Sequence, residues 1–324
     1  MSVLIFVETA NGGIRKTSLE AIGYGAEVAK IYNTTTTALV LGTEVPQNEL
    51  EKLGNYGANK VWQVADERLN HGVIQAYSQA IAQAAQADGA TILIFAKSSL
   101  ADAVASRVAI KLKAGLASNA TELPTIDGNT LKVKRSVYTG KAFEIIAIHS
   151  ENKIITIKKN AYSPTPTQTL AKVEQFTATL SDSDFSVKLK EVQKVTGEVL
   201  LPEADIVVAG GRGLKGPENW GIILDLAKTL GAATGCSKPV SDLNWRPHHE
   251  HVGQTGIKVS PNLYIAVGIS GAIQHLAGVS SSKCIVVINK DADAPFFKAA
   301  DYGIVGDAFE VLPKLTKAFA QAMN

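Results

Sequence analysis

The chain has 324 residues and only two cysteines, Cys236 and Cys284. They share no Cys-x-x-Cys spacing, which excludes a disulfide framework and a thiolate metal site. Two reduced, buried thiols in a cytosolic protein are expected. The formal charge is +2, and no basic cluster with interleaved aromatics occurs, so a nucleic-acid partner is not expected. No apolar run approaches the ~20 residues that span a bilayer. Met1 leads through Ser2 into the apolar run Val3–Val7 without a basic leader or cleavage site, so the expected compartment is the cytoplasm. Hydrophobic residues at 46% and charged residues at 19% describe an ordinary globular protein, and the length allows two domains of ~150 residues.

Apolar strand-like runs alternate with helical spacing through the first hundred residues. Val3–Val7, Thr37–Gly42, Lys60–Val64 and Thr91–Ala96 read as strands; Ser18–Ile31, His71–Ala87 and Ser99–Lys113 read as helices. Such alternation predicts a parallel sheet with right-handed crossovers. Leu131–Tyr138, Ala142–Ile148 and Lys153–Ile157 then read as antiparallel strands appended to it. Ala161–Thr169, with Pro164 and Pro166, reads as a loop, and Val187–Val195 as a last extended piece. The domain boundary is expected near Thr196, giving domains 1–195 and 196–324.

The second domain carries the informative stretches. A strand at Ala204–Ala209 ends in Gly210-Gly211-Arg212-Gly213, and a helix is expected from Pro217 to Leu230. The small-residue run Gly231–Pro239 contains Ser237 and Lys238. His248, His249 and His251 lack acidic or thiol partners at ligand spacing and read as a solvated loop, without metal. Val252-Gly253-Gln254-Thr255-Gly256 is a polar turn before the strand Leu263–Val267. That strand runs through Gly268-Ile269-Ser270-Gly271 into a helix over Ala272–Ala277, whose start would offer backbone N–H groups to a phosphate. Taken alone, the glycine turn is also what a plain strand-to-helix connection looks like. Gln274 and His275 beside it, and Gln254 and Thr255 in the neighbouring turn, point instead to a nucleotide with a reactive ring. Lys283–Asn289 and Asp301–Asp307 complete the strands, and Ala308–Met323 the last helix. Arg212, Ser237, Thr255, Ser270, Asn289 and Asp307 each follow a strand or its turn, where ligands gather in open α/β sheets.

Gly210–Gly213, Val252–Gly256, Ser270–Gly278 and Ile288-Asn289-Lys290-Asp291, in this order, resemble the electron transfer flavoprotein alpha subunit. The resemblance implies an α/β chain of two domains, each a mainly parallel sheet flanked by helices, the second a DHS-like FAD/NAD-binding domain. It implies FAD as cofactor and a beta subunit as partner. It further implies electron traffic from flavin dehydrogenases, such as acyl-CoA dehydrogenases in fatty acid β-oxidation, to a membrane quinone oxidoreductase. No catalytic residue is expected, because the chain would be a carrier. By the resemblance Thr255 lies near flavin N5 and His275 near O2, where an imidazolium or a hydrogen bond would stabilise the anionic reduced ring. Ser270, Gly271, Ala272 and Ile273 correspond to the pyrophosphate position, and Asn289 and Asp307 to the adenosine end. Arg212, Ser237, Val252, Gly253 and Gln254 complete the expected FAD contacts, with Gln274. Where the family has Ser-Arg, this chain has Ser237-Lys238, and Lys238 is expected to serve as the cation without the planar guanidinium. Three other readings remain open: an NAD-dependent enzyme on a similar domain, an electron-bifurcating relative using NADH, and a scaffold with a structural nucleotide.

Overall fold

The computed structural model describes residues 2–128, 130–138, 142–190, 201–202 and 204–322. The chain divides into two compact units, Met1–Val192 and Gln193–Asn324. The boundary expected near Thr196, and residues 191–195 of the extended piece expected from Val187, lie outside the described residues. Val187–Lys190 forms no strand.

In the first unit the strands are β1 (Ser2–Val7), β2 (Thr9–Ala10), β3 (Gly13–Ile14), β4 (Thr35–Leu41), β5 (Lys60–Val64), β6 (Ala90–Ala96), β7 (Gly115–Ala120), β8 (Thr125–Asp127), β9 (Thr130–Val137), β10 (Ala142–Ile148), β11 (Lys153–Ile157) and β12 (Lys172–Gln175). The helices are α1 (Lys16–Ile31), α2 (Gln47–Glu51), α3 (Ile74–Asp88) and α4 (Ser99–Leu112). One large sheet runs β10-β9-β7-β11-β6-β1-β4-β5-β12, with β8 on β9. Residues of β1 alternate between two cores: Val3, Ile5 and Val7 meet Ile22 and Val28 of α1, while Leu4 and Phe6 meet Ile81 of α3 and Val108 of α4. Strands covered on both faces read as continuous apolar runs, which is why these were legible.

One expectation fails here. Lys153–Ile157 is not antiparallel: β11 lies between β6 and β7, parallel to both. Strands β8, β9 and β10 form the antiparallel excursion, joined to the sheet through the antiparallel pairing of β9 with β7, after which the chain returns to the interior of the sheet. All five residues of β11 are buried, as a central strand requires. The carboxyl end of β1, where the winding direction reverses, is occupied by the chain itself. Glu8 is buried there, accepts a hydrogen bond from Ser98 at the start of α4, and pairs with Arg15 at 3.1 Å.

The second unit comprises β13 (Ile206–Gly210), α5 (Gly221–Leu230), β14 (Ala233–Cys236), α6 (Lys238–Asp242), β15 (Leu263–Val267), α7 (Ile273–Val279), β16 (Cys284–Asn289), β17 (Tyr302–Val305) and α8 (Ala308–Ala322). Pro217–Trp220 forms a 3-10 turn before α5. Five parallel strands run β14-β13-β15-β16-β17. From β13 the chain first winds to β14 on one side, then crosses to β15 on the other, so the switch point lies between β13 and β15. Val208, Ile265 and Val267 face α5 and α8, whereas Val207, Tyr264 and Ala266 face the opposite core with Val252, Leu276, Val279 and Phe296. No helix among the described residues is long and apolar enough to cross a membrane.

Candidate functional site

The two glycine turns meet at the switch point. Gly211 donates its N–H to Val267 O at 2.9 Å, and Gly213 donates to Gly268 O at 3.1 Å. A Cβ on Gly211 would lie 2.2 Å from Gly268 O, and one on Gly213 would lie 2.7 Å from Gly268 Cα. Only hydrogen-sized side chains permit this approach. Gly268 and Gly271 have φ of 61° and 86°, the left-handed region that Gly adopts without penalty. Past this turn, the amide groups of Gly271, Ala272 and Ile273 find no acceptor among the described residues. The helix that follows is only seven residues long, and its Ala272 cap makes no side-chain hydrogen bond. The donors here are therefore the amides of the turn more than a long helix dipole. Ser270 is exposed, and its carbonyl accepts from Phe296 N at 3.0 Å.

The polar turn at 252–256 is clasped to α7. Gln254 N–H donates to Gln274 O at 2.7 Å, and Val259 N–H to Gly278 O at 2.9 Å. A Cβ on Gly278 would stand 2.6 Å from Gly253 Cα. This clasp brings Gln254 and Thr255, both exposed, to the helix that carries Gln274 and His275. Val252 is buried, and its N–H donates to Cys236 O, so the same turn also touches the end of β14.

Strand register places the remaining expected residues on one edge. Gly210 pairs with Cys236 and with Val267, Val267 with Ile288, and Asn289 with Val305. At ~4.8 Å per gap, β14 and β17 are roughly 19 Å apart along this edge. Arg212 is exposed on the turn after β13, and Lys238 is exposed at the start of α6. Ser237 is buried, its N–H donating to Gly210 O at 3.1 Å. Asn289 already has work within the chain: Nδ2 donates to Ile269 O at 3.1 Å, and Oδ1 accepts from Asp291 N. Asp307 precedes α8 and accepts from Phe309 N at 3.0 Å, as a helix cap does.

His275 is the most perturbed group at the site. The residue is 6% exposed, Nε2 lies 2.9 Å from Tyr264 Oη, and Nδ1 is buried without a hydrogen-bond partner. Burial first, and then the proximity of His251, push its pKa down to about 4, with the Val252 backbone pulling slightly the other way. Burial thus favours the neutral form of the His275 ring in the chain by itself. His251 departs from the solvated-loop expectation too. His248 and His249 are exposed, but His251 is buried beside the Cys236 bridge, and burial depresses its pKa. No group of residues among those described could hold a metal ion. Of the thiols, Cys236 is buried, with burial pushing its pKa up to about 12, while Cys284 is half-buried, against the expectation for both.

Sequence reasoning missed three residues. Tyr264 is buried in β15 against His275; Phe296 stacks beside both; Glu250, 2% exposed, is paired with Arg246. A tyrosine inside an otherwise aliphatic strand was the one available signal, since its hydroxyl needs a buried partner.

The fold and edge define a doubly wound nucleotide-binding protein whose second unit is shaped for a dinucleotide. The orphaned Nδ1, the amides of the Ser270 turn and the Gly-on-Gly crevice all fit a flavin dinucleotide, whose ring edge and phosphates need donors. Comparison with known proteins narrows the class. Residues 3–181 match the electron transfer flavoprotein domain, and residues 200–280 match the electron transfer flavoprotein FAD-binding domain. The alpha subunit from Bacillus subtilis (strain 168) is 38% identical over 98% of this chain and 97% of its own length. That from Megasphaera elsdenii is 36% identical over 98% and 95%. Protein FixB of Rhizobium meliloti (strain 1021) is 32% identical over 100% and 94%. The chain belongs to the electron transfer flavoprotein alpha-subunit family, a family of electron carriers, and FAD is its cofactor.

Proposed function

We propose that this chain pairs with a beta subunit and carries electrons on FAD from flavin dehydrogenases, such as acyl-CoA dehydrogenases, to a membrane quinone oxidoreductase. The observation that carries the FAD placement is the buried imidazole of His275, with its partnerless Nδ1, beside the clasped turn at 252–256. When bound, FAD supplies one- and two-electron redox chemistry, and the protein's share is binding and electrostatics.

In this reading Thr255 and His275 address the ring, with His275 as a neutral donor to the edge that becomes negative. Hydrogen-bond donors aimed at developing charge in a dry site cost little reorganisation. The amides of Gly271, Ala272 and Ile273, with Ser270 and Ser237, receive the pyrophosphate, and Arg212 and Gln274 flank it. Asn289 and Asp307 face the adenosine end while keeping their structural bonds. Lys238 supplies a cation, without the stacking an arginine would give. Val252 and Gly253 shape the ring's berth through the contact of Gly253 with Gly278. The proposed compartment is the cytoplasm, where Cys236 and Cys284 stay free thiols.

Co-expression with the partner subunit, followed by an absorption spectrum, tests the proposal. One flavin per pair is expected. Two would favour the bifurcating relative, and none would leave only a nucleotide scaffold. Reduction of the pair by an acyl-CoA dehydrogenase and its substrate tests the donor, and failure with every flavin dehydrogenase tried would overturn the carrier assignment.

A further inference from the structure

Tyr264 lies at the heart of β15, fully buried, on the face that α7 covers. Its hydroxyl meets His275 Nε2 at 2.9 Å and forms no other hydrogen bond among the described residues. Two proton arrangements satisfy that contact. In one, the tyrosine O–H donates to a bare Nε2, and the neutral imidazole carries its hydrogen on Nδ1. In the other, Nε2–H donates to the tyrosine oxygen; the hydroxyl proton then has no acceptor, and Nδ1 becomes a buried acceptor with nothing to accept. The first leaves one buried polar group unmet by the chain, the second two, and each unmet group carries a desolvation penalty. Phe296 holds the ring plane: its centroid is 5.7 Å from that of His275 at 65°, and 6.4 Å from that of Tyr264 at 23°.

We infer that Tyr264 is a positioning residue that locks His275 in the tautomer with hydrogen on Nδ1, so that His275 offers the ligand of this cradle a hydrogen-bond donor and not an acceptor. With flavin as that ligand, the inference rests on the function proposed above. It makes the choice between donor and acceptor a property of a tyrosine eleven residues earlier in the chain, on a different element. The neighbours of the ring are consistent with an uncharged state. His251 is buried close by, Glu250 is already paired with Arg246, and Lys238 lies exposed at the start of α6.

The test uses the full chain with its partner subunit, labelled with 15N-histidine. Long-range 15N–1H correlation reads which ring nitrogen holds the proton, from pH ~8 down to ~5.5. The expected result is a single His275 signature, proton on Nδ1 and bare Nε2, unchanged across that range. In Tyr264→Phe the ratio of the two tautomers should fall about tenfold, the factor expected when one buried hydrogen bond is removed. The flavin midpoint potential should become more negative alongside. A wild-type proton on Nε2, or on both nitrogens, overturns the inference, as does a Tyr264→Phe spectrum identical to the parent. If Tyr264→Phe does not fold, the wild-type spectrum alone decides. Loss of flavin binding from every preparation would instead strike the proposed function, because the tautomer is readable without flavin.

Discussion

Acidification should destabilise the second unit through His275 by an amount that follows from its burial. The ring's pKa is about 4 in the folded chain and ~6.5 in an unfolded one. The folded value is the lower, so the unfolded chain takes up its proton first as pH falls. The stabilisation from keeping the ring neutral is therefore complete above pH ~6.5, declines as pH falls toward ~4, and changes no further below that. About 2.5 pH units at ~1.4 kcal/mol each give a total loss on the order of 3 kcal/mol, most of it gone by pH ~4.5. That is a large share of a typical stability of 5–15 kcal/mol. Carboxylates elsewhere also titrate in this range, so the measurement is a difference. Urea unfolding of the wild type and of His275→Gln is compared at pH ~7 and ~4.5, with Trp220 and Trp245 fluorescence reporting on the second unit. The wild type should lose about 2 to 3 kcal/mol more than the variant between the two pH values. Equal losses would refute the argument, and so would a His275 ring that titrates near ~6.5 by NMR.

Gly278→Ala should push the 252–256 turn off α7, because the added methyl would stand 2.6 Å from Gly253 Cα. A cost of about 1–3 kcal/mol in urea unfolding and at least ~tenfold weaker FAD binding by flavin fluorescence are expected, each of them refutable by an unchanged value. Arg246→Ala strands the buried Glu250 carboxylate and should cost about 3 kcal/mol, with Glu250→Gln in the same background restoring part of it. Asp307→Ala removes the cap seen at Phe309 N and should lower stability by about 1 kcal/mol. Lys238→Ala should move the one-electron flavin potential to more negative values, on the order of 50 mV if its charge acts on the ring with about 1 kcal/mol. An unchanged potential would remove Lys238 from the site.

How much of this was readable in the sequence depends on how local the cause is. The strand over Leu263–Val267, the glycine turn after it and the short helix with His275 are set by consecutive residues, and their order sufficed to place them. β11 could not be placed that way, because five apolar residues read the same in an edge or a central strand. Its position between β6 and β7 is fixed by pairings across the sheet. β7 was missed for a related reason: Gly115-Leu116-Ala117-Ser118-Asn119-Ala120 has little strand propensity, and its conformation is imposed by β11. At the site, glycines and polar turns announced a ligand, while the protonation of His275 did not show. Its lowered pKa comes from burial against Tyr264 and Phe296 and from the nearby His251, which reach it from three other segments. His251 itself looked like surface because its neighbours His248 and His249 are; the bridge to Cys236 draws it inward.

The carboxylate of Glu8 at the mouth of β1 has a consequence for loading. Both units wind about a reversal point, and in the first that point is stoppered by an anion held between Ser98 and Arg15. A phosphate approaching there would find the Arg15 guanidinium and the Ser98 hydroxyl already taken by a carboxylate, so titrating this chain with dinucleotide should saturate at a single equivalent, all of it in the carboxy-terminal half.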